Sequence, residues 1–219
     1  MSRLLSVIGA IFLLCAWVPV VAETGDGPGP VLVLGDSLSA DYDMPREAGW
    51  VALVEDRMRS QDDRRGVVNA SISGDTTRSG RARLPALLED FSPSVVILQL
   101  GGNDGLRGLP PNEIRANLEA MIDQAEAAGA GVLLAGVRLP PNYGPAYTRR
   151  FEEVFAELAE ERDLVLVPRL LEGVDDREDM MSADGIHPAP QAQPVIADTV
   201  WSALDGLLAD TRADTARPD

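Results

Sequence analysis

The chain is poor in the groups that most cofactor and metal chemistry needs. Its 219 residues contain one cysteine, one histidine and no lysine: all nineteen basic residues are arginine. The absence of lysine excludes Schiff-base chemistry and a Ser-Lys mechanism. The single cysteine, Cys15, lies in an N-terminal apolar stretch that is itself expected to be removed. What remains then holds no disulfide, no thiol nucleophile and no thiolate metal site. One histidine without cysteine also excludes a zinc centre built from those ligands. Calcium or magnesium held by carboxylates alone stays open, but no D-x-D-x-D-G loop is present, and neither metal nor cofactor is expected. Basic charge is scarce as well. The formal net charge of −16 repels nucleic acid and anionic membranes.

A long hydrophobic run is lacking too. The apolar stretch Leu4–Val18 covers fifteen residues and ends at Pro19, short of the about 20 that a membrane span needs. With Arg3 before it and Val20-Val21-Ala22 ahead of Glu23, it reads as a signal peptide over residues 1–22. Leu14 before Cys15 argues against a lipoprotein signal. A periplasmic or secreted protein is expected, with no stable membrane insertion after cleavage and no obligate protein partner. Removing Arg3 and no acid leaves a charge of about −17 on a domain of ordinary size.

Five short apolar runs alternate with amphipathic stretches: VLVLGDS (31–37), GVVNASISG (66–74), SVVILQLGG (94–102), GVLLAGVRL (131–139) and LVLVPRL (164–170). Runs this continuously apolar suit strands covered on both faces. Helical spacing is expected over 49–60, 77–90, 112–128, 145–162 and 190–208; in the third, Ile114, Leu118, Met121 and Ile122 make one stripe. The alternation predicts an α/β protein, a three-layer α/β/α sandwich. One domain is expected over 23–208, followed by a polar tail over 209–219 that frays.

In such sheets chemistry gathers at the carboxyl ends of the strands. Those ends carry Ser37, Gly74 and Asn103, and the last loop carries Asp184 and His187. Ser37 alone could be a helix cap, and its hydroxyl is a weak nucleophile until a base takes its proton. The only imidazole is His187. Asp184, three residues earlier, can bond one ring nitrogen and leave the other facing the serine. Gly74 offers a bare backbone N–H, and Asn103 a side-chain amide, for a developing oxyanion. Asp36 and Asp104 read as acceptors that fix their loops.

GDSLS, SGD, GGND and DGIHP together resemble the four blocks of the SGNH, or GDSL, hydrolase superfamily, across 31–205. GGNDGLRGLPP, RLPPNYGPAYT and DGIHPAPQAQPVIAD are similar to the bacterial periplasmic thioesterase I, lysophospholipase and arylesterase branch. The resemblance implies a flavodoxin-like five-stranded parallel sheet of order 2-1-3-4-5. It implies Ser37 as nucleophile, His187 as base and Asp184 as its orienter, with the Ser37 N–H, Gly74 N–H and Asn103 side chain as oxyanion donors. Asp41 stands where that branch commonly has glycine, and Asp43 adds a further acid; both would disfavour anionic substrates.

The expected activity is hydrolysis of carboxylic esters, and of thioesters, through an acyl-enzyme, on a small-molecule or lipid ester. Leu106, Leu109, Leu139 and Tyr143 are candidates for one wall of an acyl site. A carbohydrate O-acetyl esterase and a non-catalytic binding module on the same fold are the alternatives.

Overall fold

Five parallel strands in the order β2-β1-β3-β4-β5 form the centre of the molecule, in a computed structural model that describes residues 28–215. They are β1 (Val31–Gly35), β2 (Val67–Asn69), β3 (Val95–Gln99), β4 (Gly131–Ala135) and β5 (Val165–Val167). The expected signal peptide over 1–22 lies outside the described residues. The helices are α1 (Trp50–Ser60), α2 (Thr77–Phe91), α3 (Gly102–Leu106), α4 (Pro111–Ala127), α5 (Pro145–Arg162) and α6 (Gln193–Thr215). α1 packs on α6, while α2 and α5 flank α4. The result is the α/β/α sandwich and the strand order that the sequence implies.

Burial follows strand position. β1 and β3 are buried along their whole length, and Val33 pairs with Ile97 at the centre. Such strands carry side chains into both helical layers, which is why they read as unbroken apolar runs. The edge strands β2 and β5 are only half-buried and shorter than their runs suggest. In β2, the side chain of Asn69 accepts the Ser71 N–H at 3.1 Å, turning the chain. Pro168, which has no N–H to donate, follows β5 directly.

The C-terminal helix α6 continues past Ala209 to Thr215. The physical reason is a buried ion pair. Arg65, held by Asp63, donates to the Leu208 carbonyl at 3.0 Å and to Thr211 Oγ1 at 2.7 Å, tying the helix down beyond its apolar part.

Two contacts join the segments that carry the candidate site. The Trp50 indole donates to the Leu38 carbonyl at 2.9 Å, and the Trp50 N–H, at the start of α1, donates to Gln193 Oε1 at 3.0 Å. Trp50 and Gln193 are both buried. The turn after β1 and the segment after His187 are thus fixed to the same helix end.

Candidate active site

The chain leaves β1 through a helical turn in which the Ser39 and Ala40 N–H groups both donate to the Asp36 carbonyl. Ser37 sits in the first positions of that turn. There an N–H has no partner within the turn itself. Beneath it lies a buried polar network. Gln99 Oε1 accepts from Ser39 Oγ at 2.6 Å and from the Asp36 N–H at 3.3 Å, while Gln99 Nε2 donates to Asp36 Oδ1 at 3.2 Å. A Cβ on Gly35 would stand 2.8 Å from both Gln99 Oε1 and Ser39 Oγ, so the network needs glycine before Asp36.

His187 is presented by a narrow hairpin. Met181 and Pro188 form an antiparallel bridge, the Ser182 N–H donates to the His187 carbonyl at 2.8 Å, and Gly185 makes the turn at φ +67°. Asp184 works twice there. Its Oδ1 accepts the Ile186 and His187 N–H groups at 2.9 and 3.0 Å, and its Oδ2 meets His187 Nδ1 at 2.7 Å. These bonds from His187 and Ile186 hold its carboxyl down at about 2, so it stays charged beside the imidazole. His187 Nε2 lies 2.9 Å from Ser37 Oγ. Residues 150 positions apart are therefore joined in an unbroken Asp-His-Ser chain.

Ser37, Gly74, Asn103 and His187 all border one cleft of roughly 390 Å³, with Asp184 behind the imidazole. Gly74 has φ +81°, and its carbonyl accepts from Arg107 at 3.2 Å. Asn103, near the start of α3, donates its amide to Asp36 Oδ2 at 3.2 Å. Asp36 is buried, and desolvation pushes its carboxyl up to about 6 against the pull of its three hydrogen-bond donors. Asp104 accepts the Thr77 N–H at 2.9 Å and Thr77 Oγ1 at 2.6 Å, fastening α3 to the start of α2.

The rest of the cleft is mainly apolar, lined by Leu38, Leu106, Val137, Leu139, Leu171, Met181 and Ile186. Of the four wall candidates, Leu106 and Leu139 are on it and the other two are not. Leu109 packs against the core, with its carbonyl taken by the Tyr147 hydroxyl at 2.6 Å. Tyr143 stands behind the wall, its hydroxyl donating to the Leu106 carbonyl at 2.7 Å. Arg138 bonds Asp175 and Asp176 at 3.2 and 2.6 Å, linking the loop after β4 to the loop after β5 beside the cleft.

Three residues at the site escape the sequence reading: Gln99, Gln193 and Tyr42, the last of which borders the cleft beside His187. Gln99 did carry a signal, a polar residue inside an otherwise apolar strand run. Gln193 and Tyr42 carried none, since their partners are remote in sequence.

A parallel sandwich with this Asp-His-Ser chain at the carboxyl edge of its sheet defines a class of hydrolases. The chain belongs to the GDSL-like lipase/acylhydrolase family, which it matches over residues 33–193. Among its relatives, it is 50% identical over 178 residues to esterase TesA of Pseudomonas aeruginosa, covering 81% of this chain and 89% of that protein. It is 46% identical over 178 residues to thioesterase 1/protease 1/lysophospholipase L1 of Escherichia coli K12, covering 81% and 84%. The crystal structure of TesA superposes with a TM-score of 0.79 at 49% identity, over 81% of this chain and 99% of that one. The protein is an ester hydrolase of this family.

Proposed function

We propose that the protein cleaves acyl esters with Ser37 as nucleophile, His187 as general base and Asp184 as the group that orients it. The observation that carries this reading is the pair of short contacts, Nε2 to Ser37 Oγ at 2.9 Å and Nδ1 to Asp184 Oδ2 at 2.7 Å. Ser37 Oγ attacks the substrate carbonyl as its proton passes to Nε2, and the charge on the imidazole is balanced by Asp184. The carbonyl oxygen becomes an oxyanion that takes hydrogen bonds from the Ser37 and Gly74 N–H groups and from Asn103. The imidazolium then protonates the leaving alcohol or thiol. Water repeats the sequence on the acyl-enzyme, releasing the acid and restoring Ser37.

Thioesters fit as well as oxygen esters, because this machinery acts on the acyl half. The relatives named for esterase and for thioesterase and lysophospholipase activity support that breadth. The apolar lining of the cleft supports a substrate with a hydrocarbon chain, either a small molecule or a lipid, over the acetyl group of a decorated sugar. Export to the periplasm or medium rests on residues 1–22. Among the described residues no helix is long and apolar enough to cross a membrane.

The test is hydrolysis of p-nitrophenyl acetate, butyrate, octanoate and palmitate by the wild type, Ser37→Ala and His187→Ala. Loss of activity in both variants, with octanoate preferred to acetate, is the expected result. Activity that survives either substitution overturns the mechanism, and a preference for acetate and acetylated sugar overturns the substrate class.

A further inference from the structure

The ring of Tyr42 stacks on the imidazole of His187, with centroids 4.1 Å apart and planes inclined by 25°. Core packing does not explain this tyrosine, which is 45% exposed. Its backbone is also held in an uncommon way. Five non-glycine residues among those described have φ in the left-handed region, and two of them, Asp41 at 54° and Asp43 at 56°, flank Tyr42. Of the others, Ser92 and Asp163 cap the C-termini of α2 and α5 and Asp62 follows the end of α1, where this conformation is a normal stop signal. Asp41 directly follows the helical turn after β1, and Asp43 ends no helix. Left-handed backbone is least unfavourable outside glycine for aspartate and asparagine, and two such residues on either side of one side chain fix how that side chain is presented.

The imidazole has a use for such a neighbour. Asp184 fixes one edge of the ring through Nδ1, but a ring held at one edge can still tilt about that bond, since the terminal torsion of histidine is broad. Tilting carries Nε2 away from Ser37 Oγ. A second ring lying flat on its face opposes that motion. During acyl transfer the imidazole also carries a positive charge, and an aromatic face attracts a cation. The stacked face helps leave the His187 side chain only 16% exposed, although Asp184 beside it is 40% exposed.

We propose that Tyr42 is a positioning residue for the catalytic base: its ring, presented between two residues of left-handed backbone, keeps His187 facing Ser37 and stabilises the imidazolium formed there. This inference rests on the assignment of His187 as the base. It needs the aromatic face of Tyr42 and not its hydroxyl.

Because His187 is the only histidine in the chain, its Cε1–H gives one NMR resonance, and a ring stacked above it shifts that resonance upfield. The experiment compares wild type, Tyr42→Phe, Tyr42→Leu and His187→Ala, with spectra on the folded proteins and kinetics on p-nitrophenyl acetate, a substrate too short to lean on the cleft walls. In Tyr42→Leu the upfield shift should vanish and kcat should fall by about two- to tenfold with KM unchanged, the range expected of one aromatic contact. Tyr42→Phe should restore both. A normal kcat in Tyr42→Leu, a rise in KM alone, or a failure of phenylalanine to restore turnover would overturn the proposal. Activity remaining in His187→Ala would instead remove the base assignment, whatever Tyr42 does.

Discussion

Asn103 donates its side-chain amide to Asp36 at 3.2 Å, so the group assigned to the oxyanion is already aimed by a buried carboxylate before any substrate arrives. Asp36 also accepts the Leu38 N–H at 3.0 Å and Gln99 Nε2 at 3.2 Å. A carboxylate meets three donors with acceptor oxygens alone, which an asparagine cannot do. The same burial that makes it a firm anchor makes its charge unfavourable.

That conflict has a pH signature. With its carboxyl raised from 3.8 to about 6, Asp36 binds its proton more tightly in the folded than in the unfolded protein. Its contribution to stability is therefore fully present below pH 3.8 and is lost as pH rises through about 6. The full swing is about 3 kcal/mol. Denaturant titrations at pH 4.5 and 7.5 should show the wild type losing stability, relative to Asp36→Asn, on going to the higher pH. Parallel losses in the two proteins would refute the assignment.

Asp184 has the opposite sign and a different use. Its carboxyl is lowered to about 2, so its contribution is present above 3.8 and lost as pH falls through about 2. In Asp184→Asn the amide oxygen can still take the Ile186 and His187 N–H groups, keeping the hairpin. The NH2 group then faces Nδ1 and imposes the wrong tautomer. Turnover should fall by about 10⁴ with little change in melting temperature. A variant that loses its fold together with its activity would mean the carboxylate acts mainly on the loop.

Removing an oxyanion donor should act on turnover and not on binding. Asn103→Ala should lower kcat by about 10²–10³ and leave KM nearly unchanged. Gly74→Ala meets open space at its Cβ but must hold φ +81°, so it should lose about 1–2 kcal/mol of stability from backbone strain alone. Steady-state kinetics beside melting curves separates the two kinds of damage.

Leu106 and Leu109 are three residues apart, yet only Leu106 borders the cleft. Leu106→Ala should raise KM for p-nitrophenyl octanoate about fourfold or more, from ~0.8 kcal/mol for each lost methylene contact, and leave acetate unaffected. Leu109→Ala should lower stability while the chain-length profile stays as in wild type. The reverse pattern would place the acyl chain elsewhere.

Arg65 is 6% exposed, and Asp63, its partner, 5%. Arg65→Met should destabilise the fold by about 3–5 kcal/mol, because it deprives a buried carboxylate of its guanidinium. Hydrogen exchange in the last turns of α6 should rise with it; unchanged protection near Leu208 and Thr211 would mean other contacts hold the helix.

The sequence by itself determined the sandwich and singled out the candidate reacting groups. Strands buried on both faces must be apolar at every position, so β1 and β3 announce themselves, and a chain with one histidine offers a single imidazole for the proposed base. It was weaker at the edges. β2 and β5 are half-buried, so their apolar runs outlast their ladders, and α6 outlasts its apolar stripe because Arg65 reaches Leu208 and Thr211 from far away in sequence. Only the tertiary structure decided which residues of the α3 and β4 loops face the cleft. Leu106, Leu109, Leu139 and Tyr143 look alike as a loop composition, and chain direction separates them only when the backbone is folded. The same holds for Tyr42 on His187 and Asn103 on Asp36. Short-range pattern records what a residue must avoid, which is water, but contact between distant residues is set by where the sheet brings their loops together.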